Sequence, residues 1–147
     1  MSQSRVHTSV KAAGLAICIM LAISGLLNAQ SYKQTVDAKT YTIALGNLRS
    51  GITSDNLGLR KSSIYFAGKY TMGELSNDLL AQISRESDAN TRILIGMSLY
   101  TIGDVSGMQR LQSYTATEKD SRIKRMLSEI CQQFSAGQKN EFAEVSK

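Results

Sequence analysis

The chain is 147 residues long with a net charge of +5, no Pro and no Trp, a length that suits one domain and a composition that suits helices. Its only His, His7, stands in an N-terminal segment expected to be removed, so the remainder lacks the residue that most often serves as a general base near neutral pH. Removal also takes Arg5 and Lys11, so the 17 basic residues fall to 15 against 12 acids, a bias too mild to argue for nucleic acid.

The opening segment has the three-part order of a secretory signal. "MSQSRVHTSVK" is basic and carries no acid, "AAGLAICIMLAISGLL" is apolar and uncharged, and "NAQ" places the small Ala29 at a cut site. Cleavage after Ala29 leaves Gln30 to Lys147 and an exported protein, periplasmic or in the cell envelope. The competing reading is an uncleaved membrane anchor, but the apolar run Ala12–Leu27 is sixteen residues, short of the roughly 20 that span a bilayer. A lipoprotein signal at Cys18 fits less well, because Ile17 before it is not small and Cys18 lies inside the apolar run.

From residue 30 onward the chain reads as helices. Residues 33–50 form the first, with Tyr41, Ala44, Leu45 and Leu48 on one face and Ile52 continuing it, behind a ragged lead-in. Next comes a near-duplication: "YTMGELS" at Tyr70–Ser76 and "YTIGDVS" at Tyr100–Ser106 stand thirty residues apart. Each copy follows one helical stretch (57–71 and 89–102) and precedes another (75–85 and 105–116). Leu75, Leu79, Leu80 and Ile83 line one of these second helices, and Val105, Met108, Leu111 and Tyr114 line the other. Gly73 and Gly103 are expected to end the preceding helices in the left-handed conformation. Ser76 and Ser106 are expected to help cap the following ones, with Glu74 and Asp104 in the same capping turns. A sixth helix, 120–135, carries the stripe Ile123, Leu127, Ile130, Cys131 and Phe134. The tail, 135–147, is polar and expected to fray apart from a short turn near Phe142.

An acid precedes a base at the head of each unit: Asp55 and Arg60, Asp88 and Arg92, Asp120 and Lys124. "DANTRILIGMSLYTIGDVSGMQRLQSY" resembles a short HEAT repeat of the type also named after phycobilisome lyases. Asp88, Arg92, Leu99, Ile102, Gly103, Asp104 and Leu111 fall on its pattern, and Asp55, Arg60, Ala67, Met72, Gly73 and Glu74 follow it more loosely. Asp120, Lys124 and Leu127 give a partial third match. The sequence departs from the pattern at Val105 and Leu75, where Pro is common, and at Gly96 and Gly68, where Ala is. An armadillo-like or other α-α superhelix satisfies the same residues. The resemblance implies an all-α fold, an α-α superhelix of about six helices, over residues 55–134. Residues 30–54 then form a degenerate opening repeat. It also implies that the repeat's Arg bonds the neighbouring unit's turn, and it implies no lyase chemistry.

The chemical candidates are few. There is no phosphate-binding glycine loop, no acid cluster at metal-ligand spacing and no serine triad, so neither enzyme activity nor a cofactor is expected. Cys131 falls on the apolar stripe and reads as core rather than as a redox thiol. Arg60, Arg92 and Lys124 form a ladder at a spacing of 32. It reads either as a basic ridge for an acidic partner or as a structural set of acid–base pairs, Asp88 with Arg92 and Asp120 with Lys124. Of the aromatics Tyr65, Phe66, Tyr70, Tyr100 and Tyr114, most are expected between helices, with one or two, such as Tyr65 and Tyr100, serving as surface anchors. The expected function is that of an exported scaffold that binds a protein partner through Arg60, Arg92, Lys124, Tyr65 and Tyr100. The alternative is a membrane-anchored envelope assembly or regulatory module. If the proposed helix faces are right, Leu99→Ala and Leu127→Ala each cost about 2–5 kcal/mol. Thermal unfolding that barely moved for either variant would refute those faces.

Overall fold

Short polar side chains decide where most of the helices begin. The computed structural model describes the backbone of residues 36–145 and the side chains of residues 36–138, and the signal segment expected over 1–29 lies outside them. Six α-helices follow one another: α1 (Ala38–Ile52), α2 (Leu57–Lys69), α3 (Ser76–Ile83), α4 (Ala89–Ile102), α5 (Val105–Thr117) and α6 (Ser121–Val145). Asp37, Asn56, Asp88 and Asp104 cap α1, α2, α4 and α5, and Asp120 accepts hydrogen bonds from the first amides of α6. The cap of α2 is thus Asn56 and not the neighbouring Asp55. No strand occurs among the described residues.

Two rows of helices share one core. In one row α1 touches α3 and α3 touches α5, and in the other α2 touches α4 and α4 touches α6. Between the rows α1 packs on α2, α3 on α4, and α5 on both α4 and α6. Ile52, Ile64, Met72, Leu75, Leu79, Ile83, Ile95, Leu99, Leu111, Ile123 and Leu127 are fully buried where the rows meet. This includes the two leucines singled out from sequence. α4 has neighbours on several sides, which explains why its fourteen residues carry only one charge, Arg92.

The rows are fastened by different chemistry. Arg49 of α1 pairs with Asp78 of α3 at 3.0 Å, and Arg110 of α5 donates to Asn77 of α3, all on exposed surface. The α2–α4 contact is instead dry and close. A Cβ on Gly68 would stand 2.8 Å from the Ser98 backbone, and the Ser98 hydroxyl donates to the Ile64 carbonyl at 3.0 Å. Gly96 likewise leaves the space that Leu127 of α6 fills. The two glycines that depart from the repeat pattern are therefore points of close helix approach, as Gly51 of α1 is against Ser63 of α2.

Three local expectations change. The polar tail does not fray: α6 continues to Val145. Extending an existing helix adds one hydrogen bond per residue fixed, and "SAGQKNEFAEV" is rich in helix formers. The duplicated heptapeptide also does not repeat in structure. Tyr70 follows the end of α2, whereas Tyr100 lies inside α4. The helix starts Leu57 and Ala89 are 32 residues apart, so the structural period is that of the Arg ladder and not the thirty of the heptapeptide. Gly103 takes the expected left-handed conformation (φ 78°), but Gly73 does not, and instead opens a 3-10 turn, Gly73–Leu75.

In the first unit the left-handed residue is Thr71 (φ 49°). The Met72 amide donates to the Ala67 carbonyl and the Thr71 amide to the Gly68 carbonyl, a Schellman end with buried Met72 as its apolar plug. The capping serines are also reassigned. Asp104 takes the amide of Ser106, and the Ser76 hydroxyl is buried without a partner at the start of α3, which has no side-chain cap. Glu74 accepts from the Tyr41 hydroxyl at 2.8 Å, so its role is a tie to α1 and not a cap.

A β-branched residue held left-handed is strained by about 1–2 kcal/mol. Thr71→Gly is expected to raise stability by about 0.5–1 kcal/mol, after allowance for the greater freedom of Gly in the unfolded chain. Gly103→Ala is expected to lower it by about 1 kcal/mol. Urea unfolding of both variants checks the pair, and opposite signs are the diagnostic result.

Candidate functional site

Two of the three ladder residues are used internally. Arg60, at the head of α2, places Nε 2.7 Å from Glu86 Oε2 and Nη2 3.3 Å from Glu86 Oε1, while Nη1 donates to the Ser54 carbonyl. Glu86 lies in the link between α3 and α4. Its Oε1 also accepts the Asp88 amide at 3.0 Å, and its Oε2 accepts the Gln82 side chain at 3.1 Å. One guanidinium thus ties the α1–α2 link, the head of α2 and the α3–α4 link together.

The same clamp recurs 32 residues later. Arg92 Nη1 meets Glu118 Oε2 at 2.6 Å, and Glu118 Oε1 accepts the Asp120 amide at 2.9 Å. Tyr114 stands where Gln82 stood. Its hydroxyl lies 2.9 Å from Glu118 and 3.3 Å from the Ile83 carbonyl. The second clamp is less complete: Arg92 reaches Glu118 through Nη1 alone and its Nε is buried without a partner. Side-chain exposure is 14% and 1% for Arg60 and Glu86, and 18% and 4% for Arg92 and Glu118, so both pairs are largely shielded.

The expected pairs within each helix head are absent. Asp88 caps α4 through the Thr91 amide and hydroxyl and pairs with Lys61 at 3.1 Å, not with Arg92. Asp120 caps α6, and Lys124 Nζ donates to the Ala116 carbonyl at 3.0 Å. Asp88 and Asp120 go to the orphan amides because cap bonds are local and well aligned. Each arginine instead reaches the acid two positions before the cap of the following helix in its row: Arg60 of α2 to Glu86 before Asp88 of α4, and Arg92 of α4 to Glu118 before Asp120 of α6. Glu86 and Glu118 went unnoticed in the sequence, although E-x-D-x-x-x-R and E-x-D-x-x-x-K mark them at the ladder's own spacing.

The carboxylates of the clamps are held in their charged form. Burial pushes Glu86 upward, but Arg60, the Asp88 amide and Gln82 together bring it below its ordinary value. Burial likewise raises Glu118, and the Asp120 amide, Tyr114 and Arg92 outweigh it. Asp88 is lowered to about 2 by Thr91 first and then Lys61. Burial raises the Cys131 thiol, which lies on the core stripe as expected.

The aromatics are placed differently from expectation. Tyr65, Phe66 and Tyr100 are exposed, and of the five only Tyr70 and Tyr114 are partly buried. Tyr65, Phe66 and Tyr70 gather around Lys69, whose ammonium lies 5.7 to 5.9 Å from all three ring centroids. On α4, Tyr100 meets Phe134 of α6 edge-on at 6.1 Å. Beside it a groove of about 410 Å³ opens between α4 and α6, lined by Met97, Tyr100, Met126 and Ile130 with Glu129 and Gln133. Tyr65, Phe66, Met97, Tyr100 and Met126 all belong to the α2–α4–α6 row and are exposed. This apolar outer surface is the candidate site. It brings Tyr65 and Tyr100 into one row, and leaves Arg60 and Arg92 within the clamps.

No group of His, Cys, Asp and Glu suited to a metal ion occurs among the described residues, and no helix there is long and apolar enough to cross a membrane. Compared with protein-family models, with curated proteins and with solved structures, the chain matches none.

The two clamps make stability depend on pH with a definite sign. Glu86 and Glu118 have folded values below their unfolded ones, so their contribution is complete above the unfolded carboxylate range and lost as pH falls through the folded values. Asp88 extends that loss toward about pH 2. Glu86→Gln is expected to cost about 2–4 kcal/mol at neutral pH, because it leaves the Arg60 charge shielded and unpaired. Melting curves across the acid range check this: the Glu86→Gln, Glu118→Gln double variant should show a flatter loss of stability than the parent.

Proposed function

We propose that the chain is an exported, HEAT-like α-α superhelix that acts as a protein-binding scaffold or interaction module. The observation that carries the reading is the exposed aromatic and methionine surface of α2, α4 and α6. Large apolar side chains held in water on a rigid row are unfavourable unless something covers them, and Tyr is among the side chains that anchor protein interfaces. Helix pairs at a fixed period of 32 support the repeat class, since stacked pairs share a core that one pair cannot build alone. Export rests on residues 1–29 by themselves. Retention of that segment would make the same domain a membrane-anchored assembly or regulatory module in the envelope, and the N-terminal residue of the purified protein separates the two.

The test is position-specific. A photo-cross-linking amino acid placed at Tyr65 or Tyr100 in living cells is expected to give a discrete protein adduct, and the same probe at Ser113 on α5 to give none. Adducts that form equally from all three positions, or from none, would remove the outer row as the binding surface.

A further inference from the structure

Charge along the α2–α4–α6 row is one-sided. From Leu57 to Gln138 these helices carry seven Lys and Arg and a single acid, Glu129. Arg60, Lys61 and Arg92 are neutralised by Glu86, Asp88 and Glu118. Lys69, Arg122, Lys124 and Arg125 have no carboxylate partner among the described residues. The chain's acids are concentrated instead in the links and caps, where they hold helix ends.

The one charged residue in the lining of the groove between α4 and α6 is Glu129, and the positive charge lies on the preceding turn of α6, at Arg122 and Arg125. Arg122 stands one turn before Met126 on the same face of α6, outside the groove's lining, and reaches Asn90 of α4 at 3.3 Å. At the other end Tyr100 lines the groove and rests edge-on against Phe134. Met97 and Met126 face the groove from opposite walls, and flexible thioethers let an apolar trough adapt to what fills it.

We infer that this groove takes an acidic amphipathic helix from the partner protein, with its apolar side chains between Met97 and Met126 and its carboxylates on Arg122 and Arg125. The inference rests on the protein-binding reading above and adds the chemistry of the partner. Helix-in-groove docking needs a recess that receives side chains one turn apart, which is the form of this site. A lipid surface is planar and would leave the recess unfilled, so anionic charge on a helix suits the site better than anionic charge on a bilayer. Positive charge at one end of the groove also fixes which way the bound helix runs.

The experiment uses the full chain and a synthetic probe, a labelled helix with Leu at three- and four-residue spacing and Glu on its flanks. A twin with Lys for Glu and vesicles containing phosphatidylglycerol complete the set. The acidic helix is expected to bind at least about tenfold tighter than its twin, and more weakly as salt rises. Met97→Asp is expected to weaken it about tenfold, and Arg122→Glu with Arg125→Glu to reverse the preference toward the Lys twin. A reversed preference also shows that the variant is folded. Equal binding of both helices, binding of neither, an acidic preference that survives the reversal, or binding by the vesicles alone each overturns the inference. Adducts that still form from Tyr100 while both helices fail remove this inference and leave the protein-binding reading standing. Loss of those adducts as well removes both.

Discussion

The repeated Arg–Glu clamp is the interaction on which the packing of successive helix pairs depends. A guanidinium at the head of one helix holds a carboxylate that in turn holds the amide of the next cap, so the spacing of links and the starts of helices are set together. A shielded ion pair is a poor source of net stability, since desolvation offsets most of the attraction. Its use here is geometric. Each clamp carboxylate accepts at once from the guanidinium of one unit and from the cap amide of the next, and that shared contact fixes how α4 follows α2 and α6 follows α4.

The division between what could be read in the sequence and what could not follows this geometry. Helix faces were legible because burial acts residue by residue: Leu99, Leu111, Ile123 and Leu127 lie on apolar stripes and are all fully buried. The period was harder. The heptapeptide at thirty residues is the more visible repeat, yet it spans two different backbone paths, because local identity does not force identical structure when flanking lengths differ. The fainter E-x-D pattern at 32 marks the true period, since it records contacts and not resemblance. Gly73 illustrates the cost of reading turns by residue type: a left-handed conformation stands at Thr71, where the hydrogen bonds of the helix end require it.

The candidate surface was half legible. Tyr65 and Tyr100 were recognisable as large amphipathic residues, but α2 and α4 carry apolar residues on several sides, so no single stripe separates their buried face from their exposed one. Met97 and Met126 went unremarked because methionine at helical spacing is usually core. Arg60 and Arg92 drew attention for their spacing, and that spacing belongs to the clamps. Arg60 and Arg92 repeat as the same residue type and hold the fold, whereas Tyr65 and Met97 occupy equivalent positions 32 residues apart with different side chains, so the exposed face varies where the clamps do not.

The unlike fastening of the two rows has a mechanical consequence. The α1–α3–α5 row is joined by exposed polar contacts such as Arg49 with Asp78, which mobile ions screen. The α2–α4–α6 row has exposed contacts of its own, Lys61 with Asp88 and Arg122 with Asn90, and adds interlocked backbone and buried side chains at Gly68 and Gly96, which ions do not reach. Salt therefore weakens exposed polar contacts in both rows and leaves untouched the Gly96 contact between α4 and α6, the two helices that carry the apolar groove.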